Sequence, residues 1–206
     1  MDPILLFFEY SMLGILSGGI YTLVALGFIL IFKASGVFNF AMGEMMMAGT
    51  YAFYLFAVIL GLHWVPSLAL GIVACCGLAW LIERAVLRPM LGQPTIALVM
   101  VTFGVGFMLR GIATMAFGSE AHQLPEILPR DPFFLGSIFV PGKPARGFAL
   151  AVAVCVSLIL FFRYSRVGIA LRATAADQIT AYSMGIDVRR IFGVTWMAAA
   201  AAGTLA

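Results

Sequence analysis

The sequence has 206 residues, of which 63% are hydrophobic and only 10% are charged, and its formal net charge is +3. Soluble globular domains contain about 25% charged residues, so this composition excludes a water-soluble globule and indicates a chain embedded in lipid. The small basic excess forms no basic stripe with interleaved aromatic residues, which argues against nucleic-acid binding.

Six apolar segments approach the length needed to cross a membrane, which is about 20 residues. The predicted spans are residues 10–32, 40–61, 65–86, 95–117, 147–163 and 191–206. They lack the alternation of barrel strands, so we expect helices. The predicted fold class is therefore all-α, a polytopic transmembrane helical bundle that forms one domain, residues 1–206. The last span is still apolar where the sequence stops, and we expect a C-terminally truncated piece of a longer protein.

The basic residues predict how the bundle is oriented, because Lys and Arg favour loops that face the cytoplasm. Eight of the 12 Lys and Arg residues lie at or near the same predicted side: Lys33, Arg84, Arg88, Arg163, Arg166, Arg172, Arg189 and Arg190. Segment 164–190 is then cytoplasmic, and both the N-terminus and the proline-rich loop 118–146 are extracytoplasmic. The prolines predict that this loop is irregular.

Glycines occur at intervals within two of the predicted spans. Gly14 and Gly18 form a G-x-x-x-G step, which Gly19 extends, and Gly104, Gly106 and Gly111 lie in the fourth span. Such glycines let helix backbones approach closely, so we expect them at helix contacts.

The polar connection after the first span carries candidate functional residues. Asn39 is placed to cap the next helix, and Glu44 lies one turn inside it, where the helix dipole favours a carboxylate. An ionisable residue in a span is a functional candidate, although Glu44 can also reach the membrane interface. Arg110 lies well inside the fourth span, where its long side chain can snorkel outward or bind a substrate carboxylate.

The third span ends with Glu83, Arg84 and Arg88, and Pro89 is expected to terminate its helix. Arg84 and Arg88 are four residues apart, so both can face the cytoplasm or lipid headgroups. We interpret them as a positive anchor, with contact to a partner protein as the alternative.

The segment 164–190 contains a predicted short amphipathic helix. Thr174 and Asp177 have the spacing of a capping box, with Thr174 as the N-cap, and Gly185 is the expected stop. Ala175, Ile179 and Tyr182 fall on one face of this helix. The residues leave two readings open, a helix that lies on the membrane surface and a helix that docks into a partner.

No pattern indicates catalysis or metal binding. His63 and His122 are isolated, the three cysteines lie in apolar runs, and the methionines at 45–47 point in different directions. There is no zinc-type spacing and no phosphate-binding ATPase loop. We therefore expect neither an enzyme nor a bound cofactor or metal.

Four motifs in this chain resemble those of the permease subunits of branched-chain amino acid ABC importers. They are residues 19–27, the run Asn-Phe-Ala-Met-Gly-Glu at 39–44, residues 82–89, and the segment 163–187. The motifs occur in the family order and extend over nearly the whole chain. Met42 stands where the family usually has histidine, so any role of that histidine is absent here.

The resemblance implies a multi-pass subunit of the bacterial inner membrane that transports branched-chain amino acids. Such a subunit pairs with a second related permease and two ATP-binding subunits, and a periplasmic binding protein delivers the substrate. The implied ATPase-coupling residues are Thr174, Ala176, Asp177, Ala181, Gly185 and Ile186. The implied translocation gate consists of Asn39, Phe40, Gly43 and Glu44.

Other classes of protein remain as alternatives. A urea or short-chain amide permease of the same superfamily shares these motifs. A stand-alone secondary transporter would need coupling-ion groups near the middle of the membrane, and a membrane-embedded enzyme would need convergent polar groups within spans. The sequence offers few of either, and the expected surroundings are lipid and protein, without nucleic acid.

Overall fold

The computed structural model describes residues 3–90, 93–120, 122–124, 131, 133–135 and 138–206. Within this part of the chain the α-helices are α1 Pro3–Ser35, α2 Met42–Tyr54, α3 Trp64–Ile82, α4 Thr95–Phe117, α5 Gly142–Tyr164, α6 Arg166–Ala176, α7 Gln178–Ser183 and α8 Val188–Leu205. A π-helical turn, Leu55–Ile59, continues α2. A second one, Glu83–Leu87, and a 3-10 turn, Arg88–Met90, continue α3.

Five helical segments in the described residues are long and apolar enough to cross a membrane. They are Leu6–Ser35, Met42–Ile59, Trp64–Met90, Thr95–Phe117 and Gly142–Tyr164. This finding confirms the predicted all-α, multi-pass bundle. The sixth predicted span forms α8, which is helical as expected but is not among the five. Its first turn carries Arg189 and Arg190, which lower the hydropathy of an otherwise apolar helix.

Helix α8 lies inside the bundle, packed against α1, α2 and α3. Small side chains make this possible, since Ala199 and Ala200 are almost completely buried and let the neighbouring helices approach. The main apolar core surrounds this contact and includes Ile31 of α1, Met45 of α2 and Ala79 of α3. Many large apolar side chains point outward instead, as a bundle surrounded by lipid requires.

The glycine prediction is wrong at four of its six positions. A Cβ added at Gly14, Gly18, Gly104 or Gly111 would meet no heavy atom within 4 Å. These glycines therefore mediate no helix contact within the described chain. The prediction is confirmed at Gly19, which is buried against α5, and at Gly106, which is buried beside residues of α2.

Close helix approach occurs at the predicted Gly19 and also at Gly49, which the sequence analysis did not single out. Gly19 of α1 lies against Phe148 of α5, and Gly49 of α2 lies against Thr204 of α8. A Cβ at either position would collide with the facing side chain, so these two glycines set the distance between the paired helices.

One end of the bundle gathers the basic residues. Helices α1, α3 and α5 end there, and α4 and α8 begin there. We call it the basic end, because it carries Lys33, Arg84, Arg88, Arg163, Arg166, Arg172, Arg189 and Arg190. A small cluster of Ala34, Leu171, Ile191 and Phe192 joins α1, α6 and α8 at this end.

The connection between α1 and α2 turns back into the bundle. Gly36 has a φ of +70°, a left-handed conformation that glycine adopts readily, and it reverses the chain after α1. Helix α2 then begins at Met42, whose side chain packs against Gly27 of α1. Gly27 precedes the last residue of α1, Ser35, by eight positions. Measured along the α1 axis, α2 therefore begins about 12 Å deeper in the bundle than the end of α1.

The predicted loop 118–146 is less irregular than expected. Two short antiparallel strands, β1 Phe133–Leu135 and β2 Ile138–Val140, form a hairpin in which Phe134 pairs with Phe139. Helix α5 begins at Gly142, earlier than the predicted residue 147, because Pro144 falls in its first turn, where proline is tolerated. Pro125, Pro129 and Pro132 lie outside the described residues.

Candidate functional site

The first predicted gate residue, Asn39, is buried and shapes the turn before α2. Its side-chain oxygen accepts a hydrogen bond from the backbone N–H of Ala41 at 3.0 Å. The N-cap of α2 is Ala41, which provides no side-chain cap, so the prediction that Asn39 caps the helix is wrong by two positions. The next residue, Phe40, donates its backbone N–H to the hydroxyl of Thr102 on α4 at 3.2 Å.

Glu44 and Arg110 form an ion pair between α2 and α4. The Nη2 atom of Arg110 lies 3.1 Å from Oε1 of Glu44. The Glu44 carboxylate also lies beside Gly106, where an added Cβ would be 3.4 Å from Oε2. Sixty-six positions separate the two charged residues in the sequence, and sequence reasoning considered them only one by one.

This ion pair lies near the middle of α4. Gly106 is flanked by 11 residues toward Thr95 and 11 toward Phe117, the two ends of the helix. Because helical side chains point toward the N-terminus, the Arg110 side chain extends toward Gly106 rather than toward the nearer end of α4. Arg110 therefore does not snorkel to the helix end, and Glu44 does not reach the basic end.

An aromatic pair adjoins the charged residues. Phe40 and Phe103 stack with ring centroids 4.4 Å apart and an interplanar angle of 17°. Both rings remain partly exposed, and the neighbouring Gly43 has open space in front of its backbone. We call the surface formed by Phe40, Gly43, Glu44, Phe103 and Arg110 the gate face.

A second charged pair is buried near the basic end. The Glu83 side chain is only 3% exposed, and its Oε1 lies 3.6 Å from Nε of Arg88. Neither carboxylate oxygen has a hydrogen-bond partner within the described residues. The pair borders a cavity of about 40 Å³ that is also lined by Asn39 and by Trp196 of α8.

The prediction that Arg84 and Arg88 both form an exposed positive anchor is therefore correct only for Arg84. The exposed Arg84 lies over the ring of Trp80, with its guanidinium carbon 5.1 Å from the ring centroid. Arg88 instead turns inward, because the buried Glu83 carboxylate attracts its guanidinium group. Pro89 lies in the 3-10 turn that ends the third span, as expected.

The amphipathic helix in segment 164–190 starts later than predicted. Thr174 lies within α6, is buried, and donates its hydroxyl to the carbonyl of Ala170 at 2.9 Å, so it is not an N-cap. Asp177 has an extended backbone and caps α7, accepting hydrogen bonds from the N–H groups of Ile179 and Thr180 at 2.8 and 3.1 Å. The hydrogen bonds from Thr180 and Ile179 hold the pKa of the Asp177 carboxyl below its usual value.

Gly185 ends this helix, as the sequence predicts. Its φ of +83° is left-handed, and its N–H donates to the carbonyl of Tyr182. The N–H of Ile186 donates to the carbonyl of Ala181, which completes a Schellman motif. A β-carbon at residue 185 would strain this conformation.

The six residues carried over as coupling residues differ in accessibility. Ala176, Asp177 and Gly185 are exposed, Ile186 is half-buried, and Thr174 and Ala181 are buried within this chain. Because Thr174 and Ala181 are buried within this chain, they are not available for contact with another protein.

Large apolar side chains are exposed on α7 and at its C-cap. Ile179, Tyr182 and Met184 are 81%, 74% and 78% exposed, beside the exposed polar residues Gln178, Thr180 and Ser183. The predicted face included Ala175, which lies in α6 instead, and it did not include Met184, although this apolar residue directly precedes the predicted glycine stop.

The link between α5 and α6 attaches segment 164–190 to the bundle. Arg172 donates hydrogen bonds to the carbonyls of Phe162 and Arg163 at 2.7 and 3.3 Å. Gly168 packs so closely on the backbone of Phe162 that an added Cβ would collide with it. The side chain of Ser165 caps α6 by accepting a hydrogen bond from the N–H of Gly168 at 3.0 Å.

The histidines have local structural contacts. His63 caps α3, accepting a hydrogen bond from Val65, and His122 packs against Tyr54. In the described part of the chain, no group of three or more His, Cys, Asp or Glu residues could hold a metal ion.

Five apolar helices in the described residues, each long enough to cross a membrane, indicate a multi-pass membrane protein. Residues 11–206 match the family model described as branched-chain amino acid transport system / permease component. The chain belongs to this family, whose members are transport subunits rather than enzymes.

Known relatives agree with this family at low sequence identity. The chain is 26% identical to the high-affinity branched-chain amino acid transport system permease protein LivH of Escherichia coli K12, over 100% of this chain and 70% of LivH. It is 27% identical to the corresponding protein BraD of Pseudomonas aeruginosa, over 94% of this chain and 67% of BraD. No solved structure matches the chain significantly.

Proposed function

We propose that this chain is the permease subunit of an ABC importer that moves branched-chain amino acids across a bacterial inner membrane. Separate ATP-binding subunits drive the transport, and a second related permease completes the membrane pathway. A periplasmic binding protein delivers the amino acid. The family, and the branched-chain amino acid transport named for LivH and BraD, support the substrate class.

The exposed apolar surface of α7 is the observation that carries this proposal. Ile179, Tyr182 and Met184 project from a short capped helix that is held rigidly between α6 and α8. Burying one such side chain is worth about 1.5–3 kcal/mol, so a partner that covers all three gains substantial binding energy. A rigid helix with an apolar tip is suited to receive force from an ATPase subunit.

The distribution of charge supports the orientation that this mechanism requires. Lys and Arg residues gather at the basic end, which holds α7, and they favour the cytoplasmic side of a membrane. With this end in the cytoplasm, α7 faces the compartment that contains ATP, the N-terminus is extracytoplasmic, and residues 118–146 face the binding protein. The gate face then lies between the two aqueous compartments.

A tryptophan substitution in the assembled transporter tests the coupling role. Gly185→Trp strains a left-handed residue beside the apolar surface of α7, so we expect loss of the ATP-binding subunits on co-purification while membrane insertion is retained. Gly61→Trp is the matched control, since Gly61 also has a positive φ and open surroundings but lies outside the basic end. Co-purification of the Gly185→Trp variant at the yield of the Gly61→Trp variant would refute the role.

Uptake by the wild-type transporter tests the substrate and the energy source. We expect leucine, isoleucine and valine to accumulate only when the ATP-binding subunits are present and active. Uptake of urea or acetamide in place of these amino acids would assign the chain to the related amide permeases. Uptake of leucine without any ATP-binding subunit would identify a secondary transporter.

A further inference from the structure

We propose that Glu44 and Arg110 together bind the charged head group of the transported amino acid. The Glu44 carboxylate would accept the α-ammonium group, and the Arg110 guanidinium would bind the α-carboxylate. This inference rests on the transport function proposed above and names the contacts that this chain makes with its substrate.

The depth of the ion pair is the first argument. The Glu44 carboxylate lies beside Gly106, the central residue of the 23-residue helix α4. That helix is long and apolar enough to span a membrane, so the charges lie near the middle of the span. Ionisable side chains at this depth are costly and typically mark a substrate or ion pathway.

The exposure of the pair is the second argument. The Arg110 side chain is 66% exposed and that of Glu44 is 20% exposed, so the charges are accessible from outside this chain. A guanidinium group is unfavourable in contact with lipid tails. The gate face must therefore border water or another protein, as a face along a transport pathway does.

The bonding capacity of the pair matches a zwitterion. Only Nη2 of Arg110 and Oε1 of Glu44 are engaged with each other. The guanidinium group retains further donors, which suit a carboxylate because they can bind both of its oxygens. The second carboxylate oxygen of Glu44 can accept a hydrogen bond from an ammonium group.

The surroundings of the pair suit an aliphatic side chain. The stacked rings of Phe40 and Phe103 provide an exposed apolar surface on the same face. Gly43 has no neighbouring heavy atom where a Cβ would lie, which leaves room beside the α2 backbone. A branched aliphatic side chain can contact the rings while its head group binds Glu44 and Arg110.

Charge variants in the complete importer provide the first test. We expect Glu44→Gln and Arg110→Gln each to lower leucine uptake by at least about tenfold, because each leaves one substrate charge unpaired. The double variant Glu44→Arg/Arg110→Glu restores an ion pair with reversed polarity. It should assemble at wild-type yield and still fail to transport leucine. Uptake rescued by this exchange would overturn the proposal, since the pair would then serve only to join α2 and α4.

Thiol labelling provides a second test that does not alter either charge. In a background without the three native cysteines, Gly43→Cys should react with a charged, membrane-impermeant thiol reagent. At leucine about nine times its dissociation constant, delivered with the binding protein, labelling should slow about tenfold, because the free site falls to one-tenth. The matched control Gly77→Cys lies in the middle of the span Trp64–Met90, on its exposed, lipid-facing side, so it should not react with the charged reagent, with or without leucine.

The outcomes separate this site from the proposed function. Failure of Gly43→Cys to react, labelling that leucine does not slow, or protection by urea instead of leucine would each overturn the site. If the wild-type importer still accumulates leucine with ATP, the proposed function stands without the site. If the wild-type importer accumulates no branched-chain amino acid, the proposed function itself fails. The labelling result decides the question if the double variant does not assemble.

Discussion

Arg88→Met removes the cation that faces the buried carboxylate of Glu83, and we expect it to lower the free energy of unfolding by about 3–5 kcal/mol. The Coulomb attraction across 3.6 Å is about 5 kcal/mol at an effective dielectric constant of about 20. Within the described residues, neither Glu83 oxygen has a hydrogen-bond partner that could replace the arginine. Because Arg88 is 32% exposed, water screens part of this attraction, and the lower end of the range is expected.

The loss of stability in Arg88→Met should result from the unpaired charge of Glu83 rather than from the missing arginine side chain itself. Glu83→Leu/Arg88→Met removes both charges, and we expect it to recover stability to within about 1 kcal/mol of the wild type. Arg84→Met is the matched control, since the exposed Arg84 lies over Trp80 and contributes about 0.5–1 kcal/mol through that contact.

Unfolding by SDS in mixed micelles, followed by circular dichroism, measures these differences. The reasoning would be refuted if Arg88→Met and Arg84→Met were equally destabilising. It would also be refuted if the double variant were no more stable than Arg88→Met alone.

Two further predictions concern the segment that carries α7. Gly168→Ala should destabilise the protein by about 2 kcal/mol or more, because its Cβ would collide with the Phe162 backbone, whereas Gly77→Ala has open space and should cost nothing in the same unfolding assay. The lowered pKa of Asp177 means that its carboxylate stabilises α7 above the usual aspartate pKa of about 3.9, and this stabilisation is lost as the pH falls through the lower folded-state pKa. The protection factors of the α7 amides, which are exchange rates corrected for their intrinsic pH dependence, should therefore fall in acid. Asp177→Asn keeps a capping oxygen that cannot titrate, so it should remove this fall, and an equal fall in both proteins would contradict the prediction.

Local sequence signals predicted some elements closely, and α4 shows why. Its predicted range, 95–117, agrees with the observed Thr95–Phe117. Pro94 precedes the apolar run as the N-cap, and Gly118, with a φ of +83°, follows it. Both boundaries depend on residues adjacent to the helix, so the chain needs no distant contact to define them.

The candidate site depends on contacts that the sequence does not display. Glu44 and Arg110 are each unusual within an apolar run, but only the parallel packing of α2 and α4 brings them together. The prediction of helix contacts from glycine spacing failed at most positions for the same reason. Spacing within one helix does not reveal which of its faces a neighbouring helix covers. Gly14 and Gly18 face open space, whereas Gly19, the next residue, meets Phe148.

The structure also relates the amphipathic segment to the gate residues through one continuous helix. Asp187 caps α8 at the basic end, accepting a hydrogen bond from the N–H of Arg190 at 3.2 Å. About one and a half and two and a half turns further along, Phe192 and Trp196 line the cavity that Asn39 also borders. Because α8 is packed between other helices, we expect a displacement of α7 to move the α8 side chains that line the cavity beside Asn39. This expectation rests on the coupling role proposed for α7.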